Sequence, residues 1–320
     1  MKISHGLVAT MLAVAGLATA QDNYPNKAIT LTVPNPPGGV VDTSARLLNE
    51  PLARVLGQPV VIDNKAGGSG NVAYGAVARA KPDGYNLLIS YSAYHVGNPA
   101  LAPSLPWADK DFAPVALLTV ATNVIAAHPS VPGNNLQEFI AYLKANPGKV
   151  NYASQGNGSL SHIGTEIFKQ QSGSFMTHIP YRGSGPAVAD VLAGQVQVFI
   201  TTPPSVMQHV VSGRLKAFAV TGTRRHPSLP NVPTVAEAGM PDFKLEAWVG
   251  LFAPAATPRA VVSRLTADVK KALEMPETRQ RADAAGIELR YLPPEALGDL
   301  VKTETAYWAK TIKAAGIKAD

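Results

Sequence analysis

The sequence predicts an α/β protein of two lobes joined by two crossover strands, and three observations carry that expectation. Strand-like and helix-like segments alternate in a pattern that begins twice along the chain. Two long apolar segments, the first of them rich in Val, Thr and Ile, stand apart from these repeats. The chain has 320 residues, more than one simple hydrophobic core accommodates.

The first unit opens with "AITLTVP" (Ala28 to Pro34), a strand by its β-branched content. Val41 to Leu56 carries apolar residues at helical spacing and is stopped by Gly57. "PVVIDN", a Gly-rich link, the helix "NVAYGAVARA", the turn "KPDG" and the strand "YNLLISY" complete a βαβαβ run. That run predicts parallel pairing with right-handed crossovers. The second unit repeats it: helix from Asn135 to Ala145, strand "KVNYASQG", helix from Ser159 to Gln171, strand "FMTHIPY", helix from Pro186 to Ala193, strand "VQVFITT". Each lobe is expected to be a mixed, mainly parallel sheet flanked by helices.

"FAPVALLTVATNVIAAHP" (Phe112 to Pro129) and "LEAWVGLFAP" (Leu245 to Pro254) are expected to leave one lobe and enter the other, making a hinge. The helical tail, Arg259 to Glu274, Glu277 to Ala285 and Pro294 to Ala315, then returns to the first lobe. The expected organisation is 21–121 with 246–320 as lobe 1 and 122–245 as lobe 2, with a ligand cleft between them. Residues 1–20 read as an export signal: Lys2, the apolar run Leu7 to Ala18, and "ATA" before Gln21. The run has about twelve residues, where a membrane-spanning helix needs about twenty.

Composition narrows the function classes. Hydrophobic residues make up 46% and charged residues 16%, which suits packed cores. The formal charge of +6 comes from 28 Lys and Arg against 22 Asp and Glu, scattered and not clustered, so no nucleic-acid partner is expected. With no cysteine, disulfides, thiolate metal sites and Cys nucleophiles are excluded. No metal or cofactor is expected, since the seven histidines show no ligand spacing.

The stretch "VPNPPGGVVD" places a Pro- and Gly-rich turn between a strand end and a helix start. In open α/β sheets ligands bind outside the carboxyl ends of the strands, and a helix N-terminus favours an anion. "YASQGNGSLSHIG" (Tyr152 to Gly164) repeats the arrangement, with hydroxyls at Ser154, Ser159 and Ser161. Two such turns facing across a cleft suit a carboxylate. Phosphate fits less well, because neither turn matches a P-loop or G-x-G-x-x-G and Asp42 would repel a multiply charged group. Asp42 itself reads either as a helix-cap acid or as a ligand contact. A Ser-His hydrolase is disfavoured, because no G-x-S-x-G elbow surrounds Ser154, Ser159 or Ser161 and adjacent Ser161 and His162 diverge on a helix. His178 reads as a hydrogen-bonded core residue. No catalytic residue is expected.

The chain resembles the Bug, or TctC, family of periplasmic solute receptors of tripartite tricarboxylate transporters. The resemblance runs through "YPNKAITLTVPNPPGGVVD", "LGQPVVIDNKAGGSGNVA", "AKPDGYNLL", "KDFAPVALL", "YASQGNGSLSH", "HIPYRGSGPAVADVLAGQV", "LPNVPTVAEAG" and "WVGLFAPAATP". It implies a type II-like periplasmic binding protein fold and a carboxylate gripped between the lobes. By resemblance, the first-lobe grip is Pro37, Gly38, Gly39 and Asp42 with Ser90 and Ser92. The second-lobe grip is Ser154, Gly156, Asn157, Gly158, Ser159 and His162. Trp248 reads equally as cleft wall or ordinary core. Asn35 stands where the family often carries an aromatic, and Thr201 where an acid is common, which disfavours an amino-acid ligand. The expected partners are a small di-, tri- or aromatic carboxylate and the permease subunits of such a transporter, with the receptor monomeric and periplasmic. Delivery to a signalling receptor is the alternative role.

Overall fold

The computed structural model describes residues 24–102, 104–243, 245–314 and 316, so the expected export signal at residues 1–20 lies outside the described residues. The chain opens with β1 (Ile29–Val33), α1 (Val40–Leu56), β2 (Val60–Asn64), α2 (Asn71–Ala78) and β3 (Asn86–Tyr91). A wide turn over Ala93–Gly97 leads into the short α3 (Asn98–Leu101), β4 (Phe112–Thr122) and β5 (Val124–Ala127). The second unit is α4 (Leu136–Ala145), β6 (Asn151–Ser154), α5 (Leu160–Ser172), β7 (Thr177–Pro180), α6 (Ser184–Leu192), β8 (Val198–Thr201), α7 (Pro203–Val211) and β9 (Lys216–Val220). β10 (Glu246–Pro254), α8 (Arg259–Glu274), α9 (Pro276–Ala285), β11 (Glu288–Leu292) and α10 (Pro294–Ala314) close the chain.

Two sheets result. The first has the order β11-β4-β10-β3-β1-β2, the second β7-β6-β8-β5-β9. Parallel pairing is confined to β2-β1-β3 and β7-β6-β8; the remaining strands pair antiparallel. The sheets are therefore evenly mixed and not mainly parallel, because β4, β5 and β10 run against their neighbours in passing between the lobes. β1 sits between two partners and buries nearly every residue, which explains its unbroken apolar run. α1 buries Val40, Ala45, Leu48, Leu52 and Leu56 on one stripe and ends at Gly57, whose φ of 68° closes the helix through its N–H on Ala53 O.

The segment 112–129 is two strands, each in a different sheet, separated by the single residue Asn123. Asn123 is buried and ties the crossings together. Its backbone N–H donates to Thr221 Oγ1 at 2.8 Å, Thr221 N–H donates back to Asn123 O at 2.9 Å, and Asn123 Nδ2 donates to Leu245 O at 3.1 Å. All three residues lie where the chain passes between sheets, so these bonds fasten the crossings to one another. The long arm from Thr221 to Leu245 and β10 form the second crossing. Among the described residues, no helix is long and apolar enough to cross a membrane.

Candidate functional site

At the carboxyl ends of β1 and β3 the chain enters the turn that the sequence singles out. Gly38 takes φ +95°, a left-handed conformation that favours glycine, whereas Gly39 is the extended N-cap of α1 with φ −94° and ψ 174°. The helical ladder opens with Thr43 N–H donating to Gly39 O at 2.9 Å, so the first N–H groups of α1 point out unpaired by the helix. They carry the positive end of the helix dipole.

Asp42 lies three residues past the N-cap and braces this turn from inside. Its Oδ2 accepts from Gly38 N–H at 3.0 Å and Arg46 Nε at 2.9 Å, and its Oδ1 from Asn64 Nδ2 at 3.1 Å. Burial pushes its carboxyl up, but the bonds from Arg46, Gly38 and Asn64 outweigh that and hold it below the usual carboxylate range. With three donors from its own lobe, Asp42 positions Gly38 and Gly39.

The opposing wall differs from the one expected. In the turn after β6, Ser159 caps α5 and donates to Gly156 O at 2.6 Å, while Ser161 Oγ accepts from Gln155 N–H at 2.9 Å. Ser154 is fully buried, fastened to Gly156 N–H and, at 2.6 Å, to His178 Nε2. His162 Nδ1 accepts from Gly158 N–H at 3.1 Å, and its ring stacks on His178 with centroids 4.1 Å apart. These hydroxyls and rings therefore hold the turn's own shape. Ser159 caps the helix, while Ser154, Ser161 and His162 brace the turn.

What faces α1 across the cleft is the start of α6. Between the lobes lies a cavity of about 10 Å³ lined by Asn35, Pro36, Gly39, Tyr91, Gln155 and Ser184, with Val40, Val41 and Gly183 completing it. That is room for about one water, so the lobes are closed on each other. A Cβ built on Gly39 would lie 3.5 Å from Ser184 Oγ, and one on Gly183, 3.1 Å from Pro36 Cγ. Gln155 Nε2 donates to Ser184 Oγ at 2.7 Å and to Thr201 Oγ1 at 3.3 Å, so Thr201 supports the wall from behind. Asn35 Nδ2 donates to Tyr94 Oη at 3.0 Å, and its buried Oδ1 has no hydrogen-bond partner among the described residues.

Of the expected residues, Asn35 and Gly39 line this cavity, with Pro37 and Gly38 exposed beside it. Asn157 and Gly158 meet the first lobe at another edge. Ser69 Oγ donates to Asn157 O at 2.8 Å, and a Cβ on Gly158 would come within 2.9 Å of Leu101. Ser90, Ser92 and Trp248 are corrections, because all three point into the first lobe. Ser92 Oγ accepts from Trp248 N–H at 3.2 Å, and the Trp248 indole donates to Glu304 Oε2 at 2.6 Å. Tyr91, Gln155, Gly183 and Ser184 also line the cavity and are not among the expected residues. For Gly183 and Ser184 the signal is the "RGSGPA" turn, where a glycine caps the start of α6, within a stretch that carries the resemblance.

Ser90 has a second interest. Its Oγ lies 2.7 Å from His95 Nδ1, and His95 Nε2 lies 2.9 Å from Asp109 Oδ1, the spacing of a Ser-His-acid relay. Yet Ser90 is fully buried and its hydroxyl also meets Tyr74 Oη at 2.8 Å, so no substrate reaches it. The bond from His95 holds the Asp109 carboxyl below its usual range despite partial burial. Among the described residues no group of His, Asp and Glu could hold a metal ion.

Burial raises the Glu304 carboxyl above its usual range even though the Trp248 indole bonds it. A raised folded pKa for an acid makes ionisation destabilising: the penalty is absent below the unfolded pKa of about 4.3 and grows as pH rises through the folded value. Glu304→Gln keeps an acceptor for Trp248 without the charge. Its melting temperature should match the parent at pH 4 and equal or exceed it at pH 7; a variant less stable at pH 7 than at pH 4, relative to the parent, would refute this.

Comparison with known proteins agrees with the architecture. The family model described as "Tripartite tricarboxylate transporter family receptor" matches residues 44–317. Protein BugT of Bordetella pertussis is 35% identical over 316 residues, 98% of this chain and 97% of BugT. Among solved structures, Rpa4515 of R. palustris with adipate superposes with a TM-score of 0.88 at 32% identity, covering 92% of this chain and 99% of that one. MatC from Rhodopseudomonas palustris with bound malate gives a TM-score of 0.84 at 34% identity, covering 90% and 100%.

Proposed function

Because the chain belongs to the tripartite tricarboxylate transporter receptor family, we propose that it is a periplasmic solute receptor that closes its lobes on a small carboxylate and presents it to the membrane permease. The observation that carries this reading is the pair of helix N-termini, α1 at Gly39 and α6 at Ser184, meeting across a cavity whose lining contains no charged side chain. Neutral N–H and O–H donors at two dipole ends suit a carboxylate, which is singly charged and small enough to enter between glycines. That lining holds no carboxylate to pair a ligand ammonium. The dicarboxylates held by Rpa4515 and MatC support the ligand class, and they differ in length and polarity, so family membership alone leaves the individual acid open. Binding without turnover is favoured by the sealed Ser90 hydroxyl and by the absence, among the described residues, of a nucleophile and base meeting at the cavity.

A thermal-shift screen of mono-, di- and tricarboxylates with their methyl esters tests the proposal. A true ligand at 100 times its dissociation constant stabilises the native state by about 2.7 kcal/mol. Esterifying the anchoring carboxylate should abolish most of that shift, since charge-assisted bonds are lost. Equal shifts from acid and full ester would overturn the carboxylate reading, and hydrolysis of the esters would favour an enzyme.

A further inference from the structure

A second cavity lies outside the cleft. It measures about 590 Å³, the size of a small-molecule site, and lies beside β4 and β11. In the sheet order β11-β4-β10-β3-β1-β2, the cleft is built on β1 and β3, so β10 separates the two and the cavity sits behind the crossing strands. Its walls come from both lobes. The second lobe gives Thr122 and the arm 223–227; the first gives Val120 and Ala121 of β4, Glu246, Arg279 and Asp283 of α9, and Gly286 to Arg290.

Four guanidinium groups line it, Arg224, Arg225, Arg279 and Arg290. Against them stand Glu246, Asp283 and Glu288. Arg224 reaches Glu288 across the lobes at 3.2 Å, Arg290 shares Glu288 at 3.0 Å, and Arg225 pairs outside the cavity with Glu237 at 2.9 Å. Arg279 has no ion pair among the described residues. The pairs are exposed, hence weak in water, and exchange readily for a better acceptor. Guanidinium groups bind oxyanions bidentately, so the unpaired Arg279 and the exchangeable partners of Arg224 and Arg290 suit an anion with several oxygens.

We propose that this cavity binds a small oxyanion of two or more negative charges and that its occupant favours the closed arrangement of the lobes. The second half follows from leverage about the crossings fastened at Asn123, Thr221 and Leu245. Opening the cleft in front swings the arm 223–227 towards β11 and α9, narrowing the space behind. An anion lodged there opposes that movement, and by reciprocity it tightens binding in front. This lever rests on the two-lobed receptor reading; anion binding in the rear cavity does not.

Inorganic pyrophosphate is the probe, titrated calorimetrically at ionic strength fixed with chloride, with melting curves to verify folding. It should bind the parent and still bind Gly39→Val, less tightly only by the factor that closure contributes. Arg279→Ala combined with Arg290→Ala should weaken it by at least about tenfold through loss of two guanidinium groups. Scattering should show a smaller radius of gyration for the parent saturated with pyrophosphate. No heat in the parent, or equal affinity in the double Arg variant, overturns the site. Abolished binding in Gly39→Val together with unchanged affinity in the double Arg variant also overturns it, by assigning the anion to the cleft. An unchanged radius at saturation overturns the lever alone. Failure of every carboxylate to bind would instead count against the proposed function and leave the pyrophosphate result standing.

Discussion

Gly39→Val is expected to weaken carboxylate binding by at least about tenfold, equivalent to roughly 1.4 kcal/mol, while the fold survives. The reason is position. Gly39 already has φ −94° and ψ 174°, extended values that a β-branched residue adopts freely, so the substitution brings no backbone strain. A Cβ there is in ordinary contact with Ser184 Oγ at 3.5 Å, and the two γ-methyl groups of Val extend beyond it into the space that α6 occupies when the lobes close. Val is a poorer N-cap than Gly, which costs at most about 1 kcal/mol of stability. Gly38→Val supplies the contrast. No atom lies within 4 Å of its would-be Cβ, but its φ of +95° disfavours any L side chain. That variant should lose about 1–3 kcal/mol of stability from backbone strain. Calorimetric titration, melting curves and scattering on both variants separate the effects. Ligand should no longer compact Gly39→Val, and full affinity in that variant would show that α1 and α6 do not close on the ligand.

The first half of this site was legible in the sequence because it is local. A strand, two prolines, two glycines and a helix start follow one another within "VPNPPGGVVD", and each residue type carries its own conformational bias. The second half depends on which of several Gly-rich turns faces α1, and that is decided by lobe closure. "YASQGNGSLSH" looked the richer in donors, yet its hydroxyls are spent on capping α5 and bracing the turn. Fold elements divide the same way. α7 was missed because "TTPPSVMQHVV" opens on two prolines, which read as a breaker but also suit the first positions of a helix. β11 is a short, half-exposed edge strand with little apolar periodicity. Phe112 to Pro129 reads as one strand, since nothing apart from Asn123 marks the change of sheet. The rear cavity was invisible for a related reason: its four arginines come from three separate stretches that only the tertiary fold brings together.

Asp42→Asn should destabilise the protein by about 1–3 kcal/mol at neutral pH, the cost of leaving buried donors unpaired. As a mere N-cap the position would tolerate Asn, since the two cap helices equally well. Here the N-cap is Gly39, and the Asp42 carboxylate accepts from Gly38 N–H, Arg46 Nε and Asn64 Nδ2. An amide offers one acceptor oxygen and turns an NH₂ group towards donors. The pH dependence has a definite sign. Because the folded pKa is depressed, the stabilisation by Asp42 is fully present above the unfolded value of about 3.9 and is lost as pH falls through the folded one. The stability gap between parent and variant should thus stay constant from neutral pH down to about 4 and shrink below it. Affinity should fall together with stability, since a loosened Gly38 no longer presents Gly39 and the first N–H groups of α1 in register. Were Asp42 instead a direct ligand contact, affinity would change while the melting curve stayed put, and denaturation across pH beside a calorimetric titration distinguishes the two outcomes.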